Sequence, residues 1–433
     1  MEIKHLYDIF KQCNSVTTDS RNCKRDAMFF ALKGDNFDGN KYAVQALNDG
    51  CKYAVVDDAS LAGISDSIFI VDDVLTALQQ LASYHRQTLN AKIIGITGTN
   101  GKTTTKELIS SVLSKKYKVW FTQGNLNNHI GVPLTLLSMP TDTEIGVIEM
   151  GANHIGEIDF LCRIAQPDLG MITNVGKAHL EGFGSFEGVM EAKAELYKYL
   201  NRKQSPTFIN INNNYLIKMF GDGKSISYGT SSDTYITGQN AQASPNLEFE
   251  WKRNKSETWE HTKTKLTGIY NFENALAAVC IGAYFDVADV DINNALSEYT
   301  PVNNRSQLIS TNRNKVFMDA YNANPDSMNA ALRNFGAIDF PKKIVILGGM
   351  KELGKDSYKE HENLLKQIVE INVVSCYLVG NEFTPFLSEY KHYNWFESTT
   401  QLCEYLSQNP VDDALILVKG SRSNKLETVL ERL

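Results

Sequence analysis

A chain of 433 residues, 42% of them hydrophobic, is well above the size at which a core is hard to build, and its length suits two to four domains, with three as the working count. A net charge of -7 gives no overall field for nucleic acid or an anionic membrane, although local basic groups can still hold an anionic small molecule. No stretch reaches the roughly 18 apolar residues of a membrane span, Glu2, Lys4 and Asp8 interrupt the start where a signal peptide needs an apolar run, and the seven cysteines lie scattered without a Cys-x-x-Cys pair. These features favour a soluble, cytoplasmic metabolic enzyme and exclude a disulfide framework and a zinc site.

Between Asp26 and Val56 short apolar runs, Met28 to Leu32 and Tyr53 to Val56, alternate with glycine turns and the helical pattern Val44 to Leu47, as in a small α/β unit. A helix from Val74 to Arg86 leads out of it. Lys92 to Thr97 then opens a series of buried strands, with Glu144 to Ile148, Leu169 to Thr173 and Thr207 to Ile211, which alternate with helices. That alternation predicts a mostly parallel, doubly wound sheet. From Gly221 to Leu266 the texture turns polar, and Tyr228 to Tyr235 and Leu247 to Trp251 read as antiparallel strands at the edge of the same domain. Alanine-rich helix resumes at Asn271. After Pro301 a third series, near Val316 to Met318, Ile344 to Leu347, Cys376 to Val379 and Leu415 to Val418, indicates a second Rossmann-like domain. The expected α/β architecture therefore has three domains, at 1–88, 89–303 and 304–433.

The loop Gly98-Thr99-Asn100-Gly101-Lys102-Thr103 lies between a strand and a helix beginning near Thr104, where backbone N–H groups and the helix dipole bind phosphate. The glycines permit a tight turn and close approach, Lys102 supplies charge, and the Thr103 hydroxyl faces Mg²⁺ in such a geometry. A strict phosphate loop has glycine where this chain has Ile96, so the match is to a shortened form. Glu149 ends the next strand beside this loop, where a further metal contact is wanted, though a strand-terminal glutamate is ordinarily solvated or capping. His179 follows another strand at the same edge, where a lone loop histidine is ordinarily surface. By spacing alone Lys193, in Glu191-Ala192-Lys193-Ala194-Glu195, is one charge on a solvated helix face. Asn271 and Asn274 share a helix face and can present amides to a base or phosphate, with N-capping by Asn271 as the competing reading. Asp319 ends a strand before Ala320-Tyr321-Asn322-Ala323-Asn324-Pro325, where a carboxylate can accept ribose hydroxyls and Asx turns account for the asparagines.

Taken together, Gly124-Asn125-Leu126-Asn127-Asn128-His129-Ile130-Gly131, Glu149-Met150-Gly151-Ala152-Asn153-His154-Ile155-Gly156-Glu157-Ile158 and Thr173-Asn174-Val175-Gly176-Lys177-Ala178-His179 closely resemble the Mur ligase family over nearly the whole chain. The Gly-Ala-Asn-His-Ile-Gly-Glu-Ile form resembles the branch that adds D-alanyl-D-alanine. Asp19-Ser20-Arg21 resembles the family's uridine-nucleotide signature, and Val418-Lys419-Gly420-Ser421-Arg422 its carboxy-terminal one. The resemblance implies a monomer with two substrates besides ATP, UDP-N-acetylmuramoyl-tripeptide and D-Ala-D-Ala, in which the tripeptide carboxylate attacks the γ-phosphate and the acyl phosphate is taken by the dipeptide amine. It implies that Gly98 through Thr104 cradle ATP, that Lys102 neutralises its phosphates, that Thr103 and Glu149 hold one Mg²⁺, and that His179 reaches a second. It further implies that Lys193 is carbamylated to N6-carboxylysine. Asn271, Asn274, Arg305 and Asp319 would contact the nucleotide, Ser20 and Arg21 the uridine group, and Asn127, Asn128 and His154 the peptide.

Two departures stand out: Asp38-Gly39-Asn40 where the family usually reads Asp-Gly-His, which implies an amide in place of a ring against the uridine nucleotide, and Gly349 where aspartate is frequent. The readings in competition are an ATP-driven switch protein, another amide ligase on this scaffold, such as a folylpolyglutamate or different Mur enzyme, and a dehydrogenase. The Gly348-Gly349 turn lacks the dinucleotide fingerprint that the last requires.

Overall fold

The structure, a computed structural model, describes residues 1–302 and 304–433. Asn303, where the second expected domain boundary falls, lies outside the described residues. Among the described residues three large sheets divide the chain, beside a two-stranded ribbon of Lys33–Gly34 and Phe37–Asp38. The first is a parallel four-stranded sheet of Ser15–Thr17, Ala27–Phe30, Tyr53–Val56 and Ile68–Ile70. The helix Val74–Thr88 buries Leu78, Leu81 and Ala82 in a core that runs on into Val132, Leu136, Ile148 and Leu161 of the central region. At roughly 1.5–3 kcal/mol per fully buried aliphatic side chain, this shared core fastens the first sheet to the second. Arg86 adds to the junction through an ion pair with Asp168 at 2.8 Å and a bond to the Ala165 carbonyl.

The central sheet has nine strands, and in spatial order they are Glu260–Thr267, Asn246–Arg253, Ile236–Ala243, Ser225–Gly229, Thr207–Asn210, Leu169–Ile172, Lys92–Thr97, Ile145–Glu149 and Val119–Phe121. From Ile236–Ala243 to Val119–Phe121 neighbouring strands are parallel, as hydrophobic runs followed by helices require. The expected edge strand Tyr228 to Tyr235 is corrected: Tyr228 and Gly229 end Ser225–Gly229, which pairs parallel to Thr207–Asn210, residues 230–235 lie outside any strand, and the antiparallel pairings are those of Asn246–Arg253 with Ile236–Ala243 and with Glu260–Thr267. Register aligns Ile96 with Glu149 and Thr97 with Ile172, so the carboxyl ends of three strands open on one edge. On the face behind them, Lys102–Leu113 packs Leu108, Ile109 and Val112 against the alanine-rich helix Asn271–Tyr284.

The third sheet joins the parallel strands Lys315–Asp319, Leu415–Lys419, Lys343–Gly348, Ser375–Val379 and Asn394–Phe396 to an antiparallel edge strand, Gln307–Ser310. Helices Pro325–Ala337 and Ser357–Glu370 cover one face and Thr399–Gln408 the other, the doubly wound pattern expected from the sequence.

Candidate active site

The phosphate loop follows Lys92–Thr97 directly, and its helix starts at Lys102, two residues before the expected Thr104. Gly98 and Gly101 both have positive φ, and a Cβ on them would lie 2.0 Å from Thr173 Oγ1 and 2.4 Å from Asn274 Oδ1. Only glycine lets this loop pass so close to its neighbours. Asn174 fixes the crest, its Oδ1 accepting from the Asn100 N–H at 2.8 Å and its Nδ2 donating to the Asn100 carbonyl. Lys102 Nζ folds back onto the Gly98 and Thr99 carbonyls at 2.7 and 3.0 Å. Burial pushes its pKa down, and the nearby Glu149 charge opposes the shift.

Thr103 Oγ1 donates to Glu149 Oε2 at 2.9 Å, and Asn127 Nδ2 donates to Glu149 Oε1 at 2.8 Å. The strand-terminal glutamate is thus only 2% exposed and not a solvated end. Its buried carboxylate oxygens and the Thr103 hydroxyl beside the loop make an oxygen-rich environment of the type hard cations take. Asn127 is committed to this carboxylate, and Asn128 caps its own turn by accepting from the Ile130 and Gly131 N–H groups at 3.1 and 2.8 Å.

Lys193 overturns the expectation from spacing. It is 3% exposed, its Nζ reaches the Ala152 carbonyl at 3.4 Å and lies over the Phe183 ring, and its pKa falls to about 7. Burial is the main cause, the Lys102 charge adds to it, and Glu157 and Glu195 oppose it. His179 takes a left-handed backbone (φ 51°), and its Nδ1 pairs with Glu352 of the third sheet's domain. Burial pushes the imidazole pKa down against the Glu352 charge.

Asn271 does not cap its helix; Tyr270 holds that position, and Asn271 instead donates to the Thr267 carbonyl while its Oδ1 accepts from Asn274 Nδ2 at 2.9 Å. Asn274 Oδ1 in turn accepts from Thr105 Oγ1. Arg305 stacks on Tyr321, 3.6 Å from the ring centroid. Asp319 pairs with Lys419 at 2.6 Å and accepts from the Ser306 N–H at 3.3 Å. The asparagines after it are turn residues as expected: Asn324 caps the helix Pro325–Ala337 and Asn322 accepts from the Ala323 N–H.

Thr99 through Thr104, Asn127, Asn128, Glu149, His179, Lys193, Asn271, Asn274, Arg305 and Asp319 line one cleft of about 1600 Å³. Gly98 is buried and is not among the lining residues. Ser20, Arg21 and His154 do not line it: Arg21 is an exposed side chain held by Asp19 in a two-bond fork, and His154 is exposed and pairs with Glu157 at 3.2 Å. Asn40 is also corrected. Its amide donates to Asp38 and Asp57 and accepts from the Asp57 N–H, so it is spent inside the first domain rather than offered to a nucleotide. At Gly349 a Cβ would lie 2.2 Å from Glu382 Oε2, which excludes the aspartate seen elsewhere unless Glu382 moves. Sequence reasoning passed over Asn174, Lys177 and Asp326, which also line the cleft; a helix start at Asn324-Pro325-Asp326 was the one available signal for the last.

A glycine loop between strand and helix, a buried carboxylate and a buried lysine, all lining one cleft among three α/β sheets, define the class of α/β protein suited to a phosphate-bearing ligand. Residues 96–282 match the family described as Mur ligase middle domain, residues 304–422 the Mur ligase glutamate ligase domain, and residues 12–86 the Mur ligase family catalytic domain. UDP-N-acetylmuramoyl-tripeptide--D-alanyl-D-alanine ligase of Bacillus subtilis is 36% identical, with 97% of this chain and 93% of that protein covered. The ligase of the same name from Haemophilus influenzae is 33% identical, covering 100% and 96%. MurF from Acinetobacter baumannii superposes with a TM-score of 0.86 over 99% of this chain and 97% of its own, at 28% identity. MurF from Thermotoga maritima, solved in complex with ADP, gives 0.85 over 98% and 97%, at 26% identity. The chain belongs to the Mur ligase family.

Proposed function

We propose that this chain is an ATP-dependent amide ligase that joins D-Ala-D-Ala to UDP-N-acetylmuramoyl-tripeptide in the cytoplasm, acting as a monomer with domains at 1–88, 89–303 and 304–433. The observation that carries the reading is the convergence of Lys102, Thr103, Glu149 and Lys193 on one cleft, in a chain whose relatives bear that ligase's name over nearly their full length. The ADP complex of the Thermotoga protein supports ATP as the nucleotide.

The chemistry asks for two things: in-line transfer of the γ-phosphoryl group to a carboxylate, then attack of an amine on the resulting acyl phosphate, which releases phosphate as the amide forms and the ammonium proton is lost. The loop N–H groups and Lys102 bind and orient the triphosphate. Thr103 and Glu149 fit Mg²⁺, since hydroxyl and carboxylate are hard oxygen donors already in contact, and the bound ion supplies charge neutralisation between ATP and the anionic tripeptide. His179, with Nδ1 turned to Glu352, has Nε2 left to reach a second ion. Lys193 fits carbamylation: with its pKa at about 7 much of it is neutral amine at physiological pH, and a carbamate turns an ammonium that would repel the metal into a carboxylate-like group. Asn271, Asn274, Arg305 and Asp319 serve the nucleotide, Ser20 and Arg21 the uridine group, and Asn127, Asn128 and His154 the peptide side.

The test is phosphate release from ATP with each acceptor withheld in turn. Release requiring both UDP-tripeptide and D-Ala-D-Ala is expected, and hydrolysis indifferent to both would sink the proposal. Offering the diaminopimelate and lysine forms of the tripeptide side by side assigns the third residue.

A further inference from the structure

The segment from Asn174 to Phe183 runs from beside the phosphate loop to the helix before Lys193, and it bears His179. On one side the central domain holds it: Thr99 Oγ1 accepts from the Gly176 N–H at 3.0 Å, and Asn174 clasps Asn100. On the other side the third domain holds it. Asp326 Oδ2 accepts from the Lys177 N–H at 2.7 Å and sits 2.2 Å from where a Cβ on Gly176 would be. Glu360 Oε1 pairs with Lys177 Nζ at 2.8 Å, and that bond raises the lysine pKa. Glu352, itself in a left-handed backbone (φ 62°), pairs with His179, and its carbonyl accepts from the Glu181 N–H at 3.4 Å. Asn324, the cap of the helix whose first turn holds Asp326, also exchanges amide hydrogen bonds with Asn100 of the phosphate loop.

These grips are polar, and the Lys177–Glu360 contact is an ion pair. Glu360 is the buried partner, its side chain 8% exposed against 49% for Lys177, so undocking the domain would strip a buried carboxylate of its counter-cation. Two non-glycine residues facing each other across the seam with positive φ further mark a shape the surroundings impose, since neither backbone would take it freely. We propose that Lys177, Asp326, Glu352 and Glu360 form a latch of positioning residues, through which the seated third domain sets the path of the Asn174-to-His179 loop and so the place of His179 beside the phosphate loop. The inference rests on the ligase reading for the identity of the reaction, but the latch itself is a property of domain docking.

The experiment is charge reversal in the full chain: Lys177→Glu, Glu360→Lys and the two combined. Each single change is expected to lower kcat about tenfold while KM for ATP stays within about twofold, and the combination to recover most of the loss. Energy transfer between fluorophores on the central and third domains, read with ADP and without turnover, is expected to show less of the docked state in each single variant and recovery in the pair. Because Glu360→Lys places a cation in a buried spot, Asp326→Ala and Asp326→Asn provide a second arm: the asparagine keeps an acceptor for the Lys177 N–H and is expected to stay near wild type, while the alanine loses both kcat and docking. Single variants that match the wild type, or a double variant no better than the worse single one with all variants folded, overturn the latch. A wild-type protein with no ligation product overturns the ligase reading alone, and the energy-transfer measurement still decides the latch.

Discussion

The carboxyl edge of the central sheet and the Asp19-to-Arg21 corner of the first domain are both marked by motifs, but the structure treats them differently. At the sheet edge, residues far apart in the chain act on one another: Thr103 hydrogen-bonds to Glu149, and the Lys102 charge helps to lower the Lys193 pKa. At the corner, Arg21 is 88% exposed and spends its fork on Asp19 two residues away. The first region is preorganised because burial makes every polar group answerable to a neighbour; the second is solvated, and only a ligand can give it a task.

Three changes put this contrast at risk. The largest effect is expected at Lys193. Lys193→Ala is expected to lower ligation on the order of 100-fold and to regain part of it with acetate or another short acid, as a replaceable carboxylate would; unimpaired activity removes the carbamate role. The pH dependence has a defined sign. Burial lowers this pKa from 10.5 to about 7, so between those values the unfolded chain keeps a proton that the native chain has lost. Stability of the unmodified protein is therefore expected to rise with pH across that window, and Lys193→Met to flatten the rise in denaturant titrations. Reactivation of CO₂-depleted enzyme by bicarbonate is likewise expected to be weak below about pH 7 and full above it.

A middling effect is expected at Arg21. Arg21→Ala should raise KM for the uridine substrate by up to about tenfold without touching KM for ATP or the unfolding midpoint, because its exposed pair with Asp19 contributes little to folding. An unchanged KM would make the corner a surface turn and nothing more. The smallest kinetic effect is expected at Asn40, where Asn40→Ala breaks three internal hydrogen bonds and should cost about 1–3 kcal/mol of stability while leaving the kinetics of the folded protein alone. A raised KM at unchanged stability would restore a nucleotide contact to this position.

Legibility followed the range of the interaction. The strands Lys92–Thr97, Leu169–Ile172 and Thr207–Asn210 showed in the sequence to within a residue because an apolar run between turns is a local signal. The short edge strands Val119–Phe121, Gln307–Ser310 and Asn394–Phe396 did not, since each has only three or four residues and is defined by the neighbour it pairs with. The parallel pairing of Ser225–Gly229 was misread from its polar composition, which reports exposure rather than strand direction. In the site, the loop from Gly98 to Thr103 was legible from its own residues. Lys193 was not, because a lysine between glutamates on a helix has the pattern of a solvated face whether or not another element covers it.

By itself the sequence determined the order of strands and helices, the glycine turn from Gly98 to Thr103 and, through several motifs jointly, the family. Those features are written in periodicity and in glycine placement, which act over a few residues. Tertiary structure alone decided that Glu149 and Lys193 are buried, that Asn40 is spent internally, that Asn271 is not a cap, and that the third domain grips the loop bearing His179. Each of those depends on which distant surface arrives to exclude water, and exclusion of water is what turns an ordinary charge into one with a shifted pKa or an obligatory partner.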